Sequence, residues 1–310
     1  MTETSGDGRH GRAQPDTAQP DAAQPDAGRL GVFPPKPNAI KELFGTPKAL
    51  IGAVHLPPLP GSPHYEGVPL DEISVFAIEE ARGYLDNGFH GVIVENHWDI
   101  PFLKPGEHGY ETAASMAVVT QRVREATAGS VGVSVLSNAA ECSIASAWAG
   151  GAGFVRVNQW ANAYVANEGI IEGQSARATR YRSRIGAKPV KVFADVHVKH
   201  GAHAIVADRS LAEQTEDAEF FDADVLIATG SRTGDAAALD EVAGIAAATV
   251  LPVIIGSGIS AANIGDLLPA CDGVIVASSV KDNGRWWGRV DPAKVRELSR
   301  AARQAGAELP

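Results

Sequence analysis

Lys191-Val-Phe-Ala-Asp195-Val-His197-Val-Lys199-His200 begins as a buried strand and ends as a run of ionisable groups. Val190, Val192 and Ala194 alternate with Lys191 and Phe193. An acid, an imidazole, an amine and a second imidazole then follow within six residues. Residues two apart share a face of a β-strand, so the pattern predicts Asp195, His197 and Lys199 on one side of the chain. A strand that becomes densely ionisable at its C-terminal end reads as the edge of an active site rather than as core.

Outward from this stretch, short apolar runs alternate with helical segments. Strands are predicted at 49–54, 91–95, 131–136, 154–157, the opening stretch, 225–228, 252–255 and 273–276. Helices are predicted at 71–87, 111–126, 139–149, 174–185, 210–221, 239–249, 260–268 and 292–305. Asp71 is placed to cap the first of these and Gly88 to end it, while Asp291 and Pro292 open the last. Eight strands alternating with helices over about 260 residues predict an α/β fold of the (β/α)8 TIM-barrel type in a single domain. An open doubly wound sheet normally carries a dinucleotide fingerprint after its first strand, and Val54-His-Leu-Pro-Pro is not one.

Residues 1–30 repeat Ala-Gln-Pro-Asp from Ala13, Ala18 and Ala23. Proline at every fifth position forbids a helix and the segment has little to bury, so it reads as a disordered tail. Residues 31–48 form a lead-in, with a short helix at 39–44 closing one end of the domain, and 49–310 form the barrel.

Catalytic groups of such barrels gather at the C-terminal ends of strands. Six consecutive strands here finish in polar residues: His55; Glu95-Asn96; Ser137-Asn138; Arg156 with Asn158; Asp195 with His197; and Thr229-Gly-Ser-Arg-Thr233. The last two end in Gly256-Ser257-Gly258 and Ala277-Ser278-Ser279. Small residues at these two ends let backbone amides approach a ligand, which is the usual phosphate site of the fold. The expected ligand is a small phosphorylated molecule.

Two chemistries remain open. In one, Glu95, Asp195 and His197, with His55 as a further candidate, bind a divalent metal that polarises a carbonyl or activates water. In the other no metal binds, and Asp195 or Glu95 is a general base. Lys199 is then a charge clamp or, if desolvated, a Schiff-base nucleophile. The strand is expected to end before Lys199, which favours the clamp. Asn96, Asn138, Arg156, Asn158 and Thr229 are candidates to orient substrate. His97, Trp98 and Trp160 fall in loops over the expected mouth, as stacking surfaces or lid packing. Arg285, Trp286 and Trp287 either cover the phosphate loop or pack at a homo-oligomer contact.

Composition narrows the classes. Of 310 residues, 45% are hydrophobic and 21% charged, as in ordinary soluble domains. A formal net charge of −10 argues against nonspecific nucleic-acid binding. No run approaches the ~20 apolar residues of a membrane span, and the amino terminus lacks an apolar signal region. Cys142 and Cys271 show no metal-ligand spacing and read as reduced, buried thiols of a cytoplasmic protein.

Gly52-Ala-Val-His55-Leu-Pro-Pro-Leu-Pro-Gly61-Ser-Pro, Val92-Ile-Val-Glu95-Asn96 with Asp99-Ile-Pro-Phe102, Gly169-Ile-Ile-Glu172-Gly173, Phe193-Ala-Asp195-Val-His197-Val-Lys199-His200 and Gly256-Ser-Gly258 together resemble the BtpA/SgcQ family. The resemblance runs in order from about residue 40 to residue 300. It implies a barrel of the ribulose-phosphate-binding kind. One branch of that family is named for photosystem I biogenesis, and another is associated with sugar utilisation or nucleosidase-type activity. The chain departs from the family pattern at His97-Trp98 and Asn158-Gln-Trp160, which implies a specialised substrate. The functional expectation is a lyase, isomerase or glycosidic-cleavage enzyme, with a non-catalytic assembly scaffold as the alternative.

Overall fold

The computed structural model describes Met1 and residues 34–230 and 239–310. The expected tail beyond Met1 and the Ser231-Arg-Thr233 end of the sixth strand's loop lie outside the described residues. Met1–Pro35 separates from Lys36–Pro310, and the fold belongs to the second unit.

Its strands are β1 (Ala49–His55), β2 (Gly91–Glu95), β3 (Ser130–Ser134), β4 (Phe154–Val157), β5 (Ala163–Ala166), β6 (Gly169–Glu172), β7 (Lys191–Asp195), β8 (Val225–Ala228), β9 (Val253–Ile255) and β10 (Gly273–Val276). Eight of them close a parallel barrel in the order β1-β2-β3-β4-β7-β8-β9-β10 and back to β1. The helices are α1 (Ala39–Phe44), α2 (Leu70–Leu85), α3 (Tyr110–Ala126), α4 (Ala140–Gly150), α5 (Ser175–Arg184), α6 (Leu211–Phe220), α7 (Leu239–Ala247), α8 (Ile264–Leu267) and α9 (Pro292–Gln304). The structure is therefore the expected TIM barrel.

Side-chain alternation divides the core in two. Ile51, Ala53, Ile93, Phe154, Phe193, Val225, Ile227, Ile254 and Ile275 fill the barrel interior, where Ala39 and Ile40 of α1 join them. Leu50, Val54, Val92, Val94, Val155, Val192 and Leu226 belong to the larger cluster that packs against the helices. The interior set sits at odd positions in β1, β2, β7 and β8 and at even positions in β4 and β9. One further step of two along β1, β2, β4 and β7 reaches His55, Glu95, Arg156 and Asp195. The same period that builds the core thus delivers ionisable groups to its upper rim.

Four boundaries differ from expectation. β3 stops at Ser134 because side chains take over its backbone bonds: Val135 N donates to Ser143 Oγ (2.9 Å) and Leu136 N to Asn96 Oδ1 (2.7 Å). The loop after β4 contains the antiparallel hairpin β5–β6, whose Tyr164 and Ile171 are buried while Val165 and Ile170 face out. Asp71 does not cap α2; it lies in the first turn, 2.7 Å from Arg122. The seventh helix is cut to Ile264–Leu267, because Ser260 N bonds Asn263 Oδ1 (2.8 Å) and shapes a turn there instead. Asp291 does cap α9, accepting from Ala293 N at 2.8 Å.

Gly52 marks a close strand–helix contact. A Cβ there would lie 2.2–2.5 Å from the ring of Tyr84, a buried residue whose hydroxyl donates to Ala53 O at 3.2 Å. Gly52→Ala is expected to destabilise the fold by about 1–3 kcal/mol through overpacking. Urea unfolding should show a lower midpoint at unchanged slope.

Candidate active site

At the rim, Arg156 and Asp195 form a buried two-pronged pair: Nε donates to Oδ1 at 3.1 Å and Nη2 to Oδ2 at 3.0 Å. Asn158 Nδ2 adds a longer bond to Oδ2 (3.4 Å), and Arg156 Nη1 lies 3.7 Å from Glu95 Oε1. Burial opposes the guanidinium's charge, but Asp195 and Glu95 outweigh it and raise its pKa further. Gly256 makes room, since a Cβ there would stand 2.6 Å from Ile227 and 3.3 Å from Arg156 Nη2.

Glu95 faces two imidazoles. Its Oε2 lies 3.6 Å from His55 Nε2 and 3.5 Å from His97 Nδ1, and these three ligand-type atoms fall within 4.8 Å of one another. Burial pushes Glu95 up, yet the contact with His97 and the charge of Arg156 prevail and hold it below the ordinary carboxylate range. Burial, followed by the neighbouring His97 and Lys281, drives His55 well below the ordinary histidine value. His55 Nδ1 sits 2.8 Å from Trp286 O and, donating to that carbonyl, leaves Nε2 bare towards Glu95. The two rings stack at 4.2 Å and 15°, with Trp286 against His97 at 4.8 Å.

Lys199 completes the cluster from an unexpected direction. β7 ends at Asp195, so the two-residue alternation stops there. Thr229 Oγ1 then catches the returning chain, accepting from Lys199 N (3.0 Å) and donating to His197 O (3.1 Å). The lysine Nζ consequently reaches Ser257 Oγ at 3.3 Å. Desolvation, assisted by the charge of Arg156, lowers its pKa to about 8.

These groups share one cavity of about 390 Å³. His55, Glu95, His97, Arg156, Asn158 and Lys199 line it together with Gly256-Ser-Gly258 and Ala277-Ser-Ser279. Among the described residues, the amides of Ser257, Gly258, Ser278 and Ser279 meet no hydrogen-bond acceptor. The loops are braced from behind: Ser279 Oγ donates to Ile259 O (2.6 Å) and Asn263 Nδ2 to Gly258 O (2.8 Å).

Other expected site residues stand elsewhere. His197 is half-exposed, its ring tilted against His203 at 3.8 Å and its Nδ1 3.9 Å from Glu241, so it does not join Glu95 as a metal ligand. Asp195 is not in that set either, because Arg156 engages both its oxygens. The ligand-type cluster among the described residues is His55, Glu95 and His97. Asn96 is consumed by Leu136 and Asp99, and Asn138 by Gln159 and Glu172, so both tie loops together rather than face the cavity. Trp160 is fully buried with Nε1 on Phe221 O at 2.8 Å, a core residue rather than a lid. Of the two thiols Cys271 is buried and Cys142 only partly so. Ser260, Asn263 and Gly284 also line the cavity and carry no signal in the sequence beyond small size and polarity.

Residues 46–304 match the BtpA family. The chain belongs to that family. An uncharacterised relative from Archaeoglobus fulgidus is 39% identical over 83% of this chain and 99% of its own length. An uncharacterised mitochondrial protein of Caenorhabditis elegans is 35% identical over 84% and 95%. The photosystem I biogenesis protein BtpA of Synechocystis is 36% identical over 82% and 88%. Among solved structures, thiamine phosphate pyrophosphorylase from Pyrococcus furiosus superposes with a TM-score of 0.52 at 16% identity, covering 87% of this chain and all of that one. Tryptophan synthase from M. tuberculosis gives 0.53 at 17%, covering 86% and 99%. Both likenesses establish the barrel. Among the described residues, no helix is long and apolar enough to cross a membrane.

Arg156→Met leaves the buried Asp195 without its ion-pair partner, with an expected loss of about 3–5 kcal/mol. Adding Asp195→Leu removes the orphaned carboxyl group and should recover much of that loss in the same urea titration.

Proposed function

We propose that the protein is an enzyme acting on a small phosphorylated, sugar-like or nucleotide-like molecule by acid–base chemistry. One observation carries the reading: a single cavity joins a carboxylate, two imidazoles and a desolvated amine to two small-residue loops with unengaged amides. The phosphate would rest on residues 256–258 and 277–279, where backbone donors bind an anion without carrying charge of their own. Glu95, held ionised, would take a proton, and His55, neutral and oriented by Trp286 O, would relay it. Asn158 would orient the substrate, and Lys199 lines the same cavity beside it.

The name of the Synechocystis relative raises a second reading, a non-catalytic assembly factor using the barrel as scaffold. A docking surface has no use for desolvated ionisable groups inside a cavity, which favours the enzyme.

The triad of His55, Glu95 and His97 also suits a divalent ion of the zinc class. A bare Nε2 facing a carboxylate and a buried His97 Nδ1 lacking a hydrogen-bond partner fit that role. The stacked rings require His97 to turn before both lone pairs meet one ion. When bound, such an ion would polarise a substrate carbonyl.

Inorganic phosphate and sugar phosphates are expected to raise the melting temperature at millimolar concentration, and Gly258→Asp to abolish the shift. No shift with any phosphorylated compound would remove the enzyme reading. Calorimetric titration with zinc is expected to give one site, weakened at least tenfold in His97→Ala; equal affinity in that variant would exclude this ligand set.

A further inference from the structure

Two lysines stand near the mouth of the barrel, Lys281 buried and Lys199 half-buried, and they are treated differently. Lys281 lies 3.6 Å from Glu80 and 3.3 Å from Trp286 O, holding the segment that carries the carbonyl partner of His55. It is a structural cation. Lys199 has no carboxylate within salt-bridge distance among the described residues. Asp195 is taken by Arg156, Glu95 lies against the imidazoles, and the nearest partner of Nζ is the neutral Ser257 hydroxyl. Its main chain is pinned through Thr229, so the amine is presented to the cavity by a fixed anchor.

We infer that Lys199 is a Schiff-base nucleophile that condenses with the carbonyl of a small phosphorylated aldehyde or ketone. The inference rests on the phosphate-site reading for the substrate class, while the reactivity of the amine stands on its own surroundings. The neutral amine's lone pair attacks the carbonyl carbon. A C–N bond forms, the C=O π pair moves to oxygen, and the amine proton passes to that oxygen. The nitrogen lone pair then expels the oxygen, which takes a solvent proton and leaves as water; the product is a protonated imine. This cation takes up the electron pair of an adjacent C–H or C–C bond and becomes an enamine. The proton passes to a base such as Glu95, or the severed carbon leaves as a carbonyl whose hydroxyl proton goes to that base. Protonation of the enamine carbon regenerates the iminium, and water hydrolyses it to the carbonyl product and the free lysine. No oxidant or reductant is required. Of the reaction types open to this cavity, lyase and isomerase chemistry can use such an electron sink, and glycosidic cleavage has no use for one.

Desolvation supports the assignment. With a pKa of about 8, on the order of one amine in ten is neutral at pH 7, against roughly one in 2,500 for an ordinary lysine. Arg156 contributes by repulsion, so the charge that secures Asp195 also favours the nucleophilic form of Lys199.

The test uses the full-length protein in two arms read by peptide mass spectrometry. In the first, formaldehyde and cyanoborohydride methylate lysines through imines at pH 7. Lys199 is expected to react at least tenfold faster than the exposed Lys41 and Lys188. Methylation of Lys199 no faster than theirs overturns the inference. In the second, dihydroxyacetone phosphate and dihydroxyacetone are each trapped with borohydride. At least tenfold more adduct on Lys199 with the phosphorylated ketone, reversed by inorganic phosphate, supports both readings. Equal trapping of the two ketones keeps the reactive lysine and removes the phosphate site. Phosphate binding without fast methylation does the reverse.

Discussion

One guanidinium governs the mouth of this barrel. Arg156 is buried among two carboxylates and an amine, and its charge acts on all three. It binds Asp195 through both oxygens, helps to hold Glu95 ionised against its own burial, and favours the neutral form of Lys199. A buried charge is tolerated only when matched, and the match here consumes Asp195 while leaving Glu95 accessible to the cavity. Two carboxylates, each the last residue of its barrel strand, thereby stand in different surroundings, one clamped by Arg156 and one open to the cavity.

Around this charge, side chains fix loops that regular structure does not. Asn96 replaces the end of the β3 ladder, Asn138 ties the β3 loop to the segment after β4 and to the last residue of β6, and Thr229 holds the chain beyond β7. Trp286 O orients His55 from the opposite side, with Lys281 donating to the same oxygen. Each bond is ordinary in strength, about 1 kcal/mol net. Together they decide which groups meet in the cavity, because the loops carry no ladder of their own.

The fold was legible because its signals are local and repeated. Apolar runs of strand length, separated by segments of helical period, specify the barrel eight times over, and an error at one boundary leaves the count intact. The rim residues of β1, β2, β4 and β7 were legible for the same reason, since each lies on the inward face of its own strand. The hairpin β5–β6 was missed because its strands are half-exposed, with only Tyr164 and Ile171 buried, and so lack the wholly buried apolar run of the equally short β4, β8 and β10. Trp160 was misread because a loop position says nothing of whether α6 covers it. Asn96 and Asn138 looked like substrate contacts because polarity at a strand end does not reveal whether a neighbouring backbone will claim it.

Local information stops within the stretch from Lys191 to His200. The sequence by itself determined that Asp195 ends an inward-facing position of a barrel strand, since that needs only a period of two. It could not determine the course of the chain beyond Asp195, because the period lapses when the ladder ends. Tertiary structure alone turned His197 outward onto His203, brought Lys199 back to Ser257 through a hydroxyl thirty residues away, and set His97 beside Glu95 and His55. Those placements depend on side chain–backbone bonds between loops distant in sequence, and the pKa values depend on the burial that results. Neither quantity exists until the barrel has closed.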